Sequence, residues 1–169
     1  MLALLALTGA LLSACSAQSE PTPTPTTAFA SEEEAFAAAE EVYREYNDAY
    51  NAVDYSDAAT FESLEDYTSG VYRTEEREGL SELGAEGAVR SGNAVVVWFD
   101  GIEFAPESTI RARVCKNMSE VVVHDRDGNS MVSPDRPDYS ALDLTFKSED
   151  SALRLVDSKA VKDEKCAES

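Results

Sequence analysis

Apolar and aromatic residues recur at helical spacing in the stretch that follows Ser31. The positions are separated by three and four residues in turn: Phe36, Ala39, Tyr43, Tyr46, Tyr50 and Val53. This spacing places them on one face of a helix. The helix begins at a capping box, because the Ser31 side chain can accept from the Glu34 amide while the Glu34 carboxylate reaches back. We expect a long first helix whose Tyr-rich face packs on the core or lines a cavity.

The stretch 54–87 has a less regular pattern. Phe61, Leu64 and Tyr67 predict one or two shorter helices within it. The residues that we expect to break these helices are Ser69, Gly70, Gly79, Gly84 and Gly87.

The period of the apolar positions changes to two beyond residue 93. The alternation predicts strands over Ala94–Phe104, Thr109–Lys116, Ser119–His124, Asn129–Val132, Tyr139–Lys147 and Ala152–Val161. Asp127-Gly128 lies between the third and fourth of these strands and is a strong hairpin signal. Because helices come first and strands follow, we predict an α+β fold with N-terminal helices packed on a curved antiparallel sheet.

The chain opens with an apolar run, Leu2–Leu12, of the length of a signal-peptide core. The run is shorter than the ~20 apolar residues of a membrane-spanning helix. It ends in Leu12-Ser13-Ala14-Cys15, which resembles the bacterial lipobox, where the cysteine is lipidated and becomes the mature N-terminus. We therefore interpret residues 1–14 as a signal peptide. The alternative is a buried hydrophobic helix with an incidental cysteine.

The composition then divides the chain into a tether and a domain. Residues 15–30 contain the predicted lipidated Cys15 and a Pro/Thr-rich segment, which favours an extended polyproline conformation. Residues 31–169 have the size of a single globular domain. We expect the protein to be exported and anchored to the outer face of the bacterial cell membrane through the lipid on Cys15.

The charge of the chain is strongly acidic, with 33 acidic against 14 basic side chains and a formal net charge of −19. Binding to nucleic acid depends on clustered Lys and Arg that displace counterions from phosphates. We therefore expect no nucleic-acid partner and interpret most of the charge as solvated surface.

Two cysteines remain once Cys15 is assigned to the lipid. In an exported protein an even number of cysteines favours a disulfide, so Cys115 is expected to pair with Cys166. Two free thiols are the alternative. The bond would close a loop of about 50 residues and tie down the C-terminal tail.

A combination of features resembles one group of proteins. It comprises the lipoprotein leader, the Tyr- and Ala-rich first helix, Ala112-Arg113-Val114-Cys115 in one strand, a Val-rich strand ending in Asp100-Gly101, the segment Pro134-Asp135-Arg136-Pro137, and Cys166 near the terminus. Together they are similar to small actinobacterial lipoproteins with the NTF2-like (SnoaL-like) cone fold. The resemblance covers most of residues 31–169. That fold hosts isomerases, cyclases, ligand binders and modules with no pocket, so it ranks functions by analogy alone.

Candidate pocket residues are few. An apolar cone would be lined by the Tyr face, Tyr43, Tyr46 and Tyr50, together with Trp98. Cone-fold isomerases use an inward carboxylate with a Tyr partner, and Asp143 beside Tyr43 or Tyr46 would form such a pair. Alternation with Leu142 and Leu144 more simply points Asp143 outward.

Other chemistry is weakly supported by the sequence. His124 is the sole histidine and lies at the mouth of the predicted hairpin, where we expect a solvated turn residue rather than a general base. Asp125, Asp127 and Asn129 mimic the first ligands of a calcium loop. The loop nevertheless fails the pattern, because Ser130 and Arg136 occupy the Gly and Glu positions. We predict no catalytic residue, no metal and no cofactor.

Three functions remain open. The sequence favours a lipid-anchored interaction or structural module without catalysis, whose partner is an envelope protein. The second is a binder of a small apolar ligand, and the third is an isomerase- or cyclase-type enzyme that uses the cone. An enclosed pocket with converging polar groups would support the latter two, and a filled interior would support the first.

Overall fold

A computed structural model of the protein describes residues 29–105 and 109–169. The signal peptide predicted at 1–14, the predicted lipidation site Cys15 and all but the last two residues of the predicted tether at 15–30 lie outside the described residues. The elements are α1 (Glu32–Asn51), a 3₁₀ helix (Ala58–Leu64), α2 (Gly70–Glu86), β1 (Val89–Ser91), β2 (Val95–Ala105), β3 (Thr109–Asn117), β4 (Val122–His124), β5 (Tyr139–Glu149), β6 (Ala152–Val161) and α3 (Glu164–Ala167). No helix in the described ranges has the length and apolar character that a membrane crossing requires.

The main sheet has four antiparallel strands in the order β2-β3-β5-β6, and a two-stranded ribbon pairs β1 with β4. The four long strands agree with the sequence prediction to within two residues at each end. Register shifts between Val96 and Trp98 and between Thr145 and Phe146 add irregularities that twist and bend a sheet. The predicted α+β class, with helices on one face of a curved open antiparallel sheet, is confirmed.

Helix α1 starts where the capping box predicts. The amide of Glu34 donates to the Ser31 hydroxyl at 3.1 Å, while the Glu34 carboxylate accepts from the Ala30 amide at 2.7 Å. The helix then lies across the inner face of the sheet. Its Phe36 ring passes so close to Gly101 that a Cβ there would come within 2.3 Å of it, so this contact requires glycine.

Helix α2 corrects the prediction for 54–87. It runs without interruption through Gly79 and Gly84 and ends at Gly87, which adopts a left-handed conformation with φ 73°. Gly84 is required for a different reason, because a Cβ at this position would lie 2.2 Å from the carbonyl oxygen of Tyr55. The glycine permits close packing and does not break the helix.

The predicted hairpin at 119–132 is only half present. The tight turn forms as expected, since the Gly128 amide donates to the Asp125 carbonyl at 3.0 Å. The segment after the turn makes a single bridge, from Ser130 to His124, and β4 takes β1 as its partner. The prediction of a second hairpin strand at 129–132 was therefore wrong.

The outer face of the sheet carries the C-terminal helix. The predicted disulfide between Cys115 and Cys166 is confirmed, with the two Cα atoms 5.5 Å apart and both residues buried. It fixes α3 against β3 and β5. Trp98, Ala141 and Val161 pack around the bond and form a second, smaller core on this face.

Candidate ligand-binding cleft

A cleft of about 610 Å³ opens between α1, α2 and the inner face of the sheet. Five elements, α1, α2, β3, β5 and β6, supply most of its walls. The lining residues are Tyr43, Tyr46, Tyr50, Tyr72, Glu75, Glu76, Gly79, Leu80, Leu83, Lys116, Met118, Leu142, Asp157 and Ser158. The interior of the fold is therefore not completely filled.

Three tyrosines of α1 form the aromatic wall. The rings of Tyr43, Tyr46 and Tyr50 lie next to one another along the helix at tilted angles, with centroids 5.8 Å apart between Tyr43 and Tyr46 and 6.0 Å apart between Tyr46 and Tyr50. Burial is the main reason why the pKa of each hydroxyl lies above its usual value of 10. The three hydroxyls consequently stay protonated at neutral pH and serve as hydrogen-bonding groups. The Tyr face therefore packs in the core and also borders the cleft.

A polar network connects α1 to α2 at the edge of this wall. The Tyr46 hydroxyl donates to Oε1 of Glu76 and lies 3.0 Å from the Tyr72 hydroxyl. Since the single hydroxyl proton of Tyr46 is donated to Glu76, the Tyr72 hydroxyl is the donor to Tyr46. Burial raises the pKa of the Glu76 carboxyl, and hydrogen bonds from Tyr46 and Thr68 partly offset that rise.

Lys116 brings a cation into the same cleft from β3. Its Nζ lies 6.0 Å from the centroid of the Tyr43 ring. Removal from water lowers the pKa of Lys116 from its usual 10.5 to about 8, and the nearby positive charge of Arg90 adds to this effect. The ammonium is still mostly protonated at pH 7.

Two predicted pocket residues lie on the opposite face of the sheet. Asp143 accepts two bonds from Arg113, at 2.6 Å from Nε and 3.1 Å from Nη2. Arg113 also contacts Asp163, which caps α3, at 3.0 Å. Asp143 therefore holds the C-terminal helix in place, and its inclusion among pocket residues was wrong because strand alternation points it outward.

Trp98 was also wrongly placed among the pocket residues. It packs beside the Cys115–Cys166 disulfide, and the ammonium of Lys165 lies 4.1 Å above its ring. The register shift between Val96 and Trp98 separates it from the inner face, where Phe99 faces Tyr43 with 6.3 Å between ring centroids. The alternation of apolar residues in the sequence does not reveal such a register shift.

The sequence analysis missed the polar cleft residues outside α1, although patterns exist for three of them, Tyr72, Glu76 and Lys116. Tyr72, Glu76 and Leu83 share one face of α2 at helical spacing, but the expected break at Gly79 divided that face. Lys116 continues the inward alternation of Ala112 and Val114.

His124 lies outside the cleft, in the half-buried ribbon strand β4. The Asp125 carboxylate beside it accepts from the amides of Asp127 and Asn129 at 2.9 Å and 2.8 Å. The segment that mimics the first ligands of a calcium loop is therefore a turn in which Asp125 binds backbone amides. Within 29–105 and 109–169, no three His, Cys, Asp or Glu side chains gather in a metal-binding arrangement.

A second depression, of about 620 Å³, lies on the outer face beside α3. Tyr139, Ala141 and Val161 form its apolar part, next to the disulfide. Its charged lining residues are the exposed Lys162 and Glu164 and the carboxylate of Asp163, which is bound by Arg113 and caps α3. Converging polar groups with shifted pKa values are typical of binding sites, so we consider the inner cleft the candidate site.

The comparisons with known proteins show the fold alone. No family model matches the chain, and no curated protein matches it. The intermembrane-space region of the chloroplast protein ARC6 aligns with 76% of this chain and 97% of its own, with a TM-score of 0.55 and 9% identity. A candidate aromatic ring hydroxylase from Novosphingobium aromaticivorans aligns with 78% of this chain and 96% of its own, with a TM-score of 0.51 and 9% identity. These likenesses support the α+β architecture and leave the function to the chemistry of the cleft.

Proposed function

We propose that this domain binds a small, largely apolar ligand in the cleft between α1, α2 and the sheet. The observation that carries the proposal is an open cavity of about 610 Å³ walled by three adjacent tyrosines, with polar groups converging on it. Small-molecule sites typically have volumes of roughly 300–1,000 Å³ and combine apolar walls with a few placed polar groups. A structural module without a ligand has no need of such a cavity.

The tyrosine wall suits an aromatic or otherwise flat apolar body. The half-buried Tyr50 and Tyr72 present ring surface to a ligand, while Tyr43 and Tyr46 are buried and already ordered, so that binding costs little conformational entropy. Their hydroxyls are protonated and can orient a polar atom of the ligand. The cleft is therefore preorganised, which reduces the entropic cost of binding.

The proposed location follows from the leader sequence. We propose that the protein is exported and held at the outer face of the cell membrane by lipid on Cys15, with residues 16–30 as the tether. Replacement Cys15→Ala tests this directly: release of the protein into the medium, or accumulation of the precursor, is expected. An unchanged mature mass and unchanged membrane association would contradict it.

An acid–base enzyme is the second candidate function, and one specific observation favours it. Glu76 lies at the cleft with a raised pKa and a Tyr46 partner, which is the carboxyl–tyrosine pair that an isomerase-type reaction requires. A carboxyl of this kind could take a proton from a carbon next to a carbonyl. Hydrogen–deuterium exchange at such a carbon of a bound ketone, present in the wild type and absent in Glu76→Gln, would establish the activity.

Binding itself is tested by filling the cleft from α2. Gly79 lines the cleft, and no atom lies within 4 Å of a Cβ built on it, so a side chain introduced there starts in open space at the cleft. The probe is N-phenyl-1-naphthylamine, a neutral aromatic amine whose fluorescence rises in apolar sites. Wild type and Gly79→Ala should bind one equivalent saturably, whereas Gly79→Phe should lose at least about tenfold in affinity because the ring occupies the site. Equal binding by all three proteins would overturn the proposal.

A further inference from the structure

The ammonium of Lys116 is a charged group at the cleft to which the proposed function assigns no role. Its aliphatic stem extends from β3 along the inner face, where the Tyr43 ring lies beneath the charge. Within the described ranges, Lys116 forms no salt bridge with any carboxylate. A half-buried cation of this kind is costly unless a partner neutralises it.

The rest of the protein makes this exception informative. Acidic side chains outnumber basic ones by 33 to 14, so a lysine has many carboxylates available. Six other cations use them, in ion pairs of Arg44, Arg77, Arg111, Arg113, Lys159 and Lys165. The remaining arginines of the described ranges donate to backbone carbonyls, and Lys147 and Lys162 are exposed, so Lys116 differs from them as a half-buried cation with neither kind of partner. The fold nevertheless leaves the cation of the cleft without an anion.

Neighbouring charges do not supply the missing partner. The closest charged influence on Lys116 is Arg90, which is also positive and donates to the carbonyls of Tyr50 and Asn51 at 3.2 Å and 3.3 Å. The cleft carboxylates Glu75, Glu76 and Asp157 come from α2 and β6, and none has an oxygen within 4.0 Å of Lys116 Nζ. The cleft is thus cationic at its β3 end and carries its carboxylates on α2 and β6.

We infer that the ligand of this cleft is an organic anion, an apolar or aromatic body bearing one carboxylate or sulfonate group that pairs with Lys116. The inference rests on the proposed function and names the class of its ligand. The aromatic body lies against the Tyr43–Tyr46–Tyr50 wall, and the anionic group replaces water at the ammonium. Any hydroxyl or carbonyl at the far end of the ligand meets the Tyr46–Tyr72–Glu76 network.

Two probes that differ by one charged group test this. The anion is 8-anilino-1-naphthalenesulfonate, and the neutral counterpart is N-phenyl-1-naphthylamine, which has the same rings without the sulfonate. We expect wild type to bind the sulfonate about tenfold more tightly, since a hydrogen bond to a charged group contributes roughly this factor. In Lys116→Met the preference should vanish while the neutral probe binds as before. Lys116→Arg should keep the preference.

A matched control separates the local charge from the overall charge. Lys162 is exposed and lies outside the cleft, so Lys162→Met removes one positive charge and should change neither affinity. If the neutral probe binds the cleft and the sulfonate binds no more tightly, or if Lys116→Met leaves the sulfonate affinity unchanged, the inference is wrong and the proposed function stands. If neither probe binds, both are wrong.

Discussion

The Tyr46 hydroxyl donates a hydrogen bond to the Glu76 carboxylate and thereby joins α1 to α2 at the wall of the cleft. The bond makes the position of α2 depend on a carboxyl group whose pKa is raised by burial. A raised pKa in the folded state means that the contribution of Glu76 to stability is fully present below its unfolded pKa, near 4.5, and is lost as the pH rises through the folded value.

The replacement Tyr46→Phe tests that relationship. It removes a donor from a buried carboxylate, so we expect the free energy of unfolding to fall by about 1–3 kcal/mol at pH 7. At pH 4, where Glu76 is protonated, the loss should be smaller, and the pKa of Glu76 should rise further in the variant. Urea denaturation at the two pH values checks the result. Tyr139→Phe, on the outer face, is the control, and an equal loss at both pH values would contradict the account.

Removal of the Lys116 charge should stabilise the protein at neutral pH. The pKa of Lys116 falls from 10.5 to about 8 on folding, mainly through burial, so the protonated form costs stability below pH 8 and this cost disappears as the pH rises toward 10.5. We expect Lys116→Met to be more stable than wild type by about 1–3 kcal/mol at pH 7. The gain should shrink at pH 9.5. A loss of stability, or an equal gain at both pH values, would show that the ammonium already has a partner.

Two glycines of α2 should respond in opposite ways to alanine. Gly79→Ala adds a methyl group into open space within a helix and should stabilise the protein by about 0.5–1 kcal/mol. Gly84→Ala places its methyl group against the Tyr55 carbonyl oxygen and should destabilise the protein by about 1–3 kcal/mol. Thermal unfolding of both variants measures the difference. Similar effects in both would mean that α2 does not pack on Tyr55 in this way.

The disulfide should account for a large share of the stability of the domain. Loss of the Cys115–Cys166 bond, with a sequence separation of 51, is expected to cost about 4 kcal/mol by the chain-entropy model. Trp98 packs beside the bond, so its fluorescence should change when the bond is reduced, before the tyrosine signals of the cleft change. Two alkylatable thiols at these positions in natively exported protein would contradict the assignment.

The spacing of apolar and capping residues in the sequence predicted the positions of the long strands and the start of the first helix. The start of β5 and both bounds of β6 match the predicted strands, and the start of α1 follows from Ser31 and Glu34. Gly84 shows where local reasoning fails, because its role is a contact with Tyr55, which is far away in the sequence. The helix propensity of glycine is unfavourable, and tertiary packing overrides it.

Only the part of the candidate site that lies on a single helix could be predicted from local spacing. The Tyr43, Tyr46 and Tyr50 wall is a single helix face and was visible in the sequence. Its acid partner is Glu76, and the assignment to Asp143 was wrong because a carboxylate that alternates with leucines faces away from the core. The pairing of Tyr46 with Glu76 depends on how α1 and α2 meet, which no single-helix pattern contains.

The most direct test of the central claim locates a ligand on the protein itself. An isotope-filtered NMR spectrum of the complex with N-phenyl-1-naphthylamine measures contacts between the naphthalene protons and individual side chains. The account predicts NOEs to the rings of Tyr46 and Tyr50 and to the methyl groups of Leu83, all of which line the inner cleft. NOEs to Tyr139 and Val161 instead, on the outer face beside the disulfide, would contradict it.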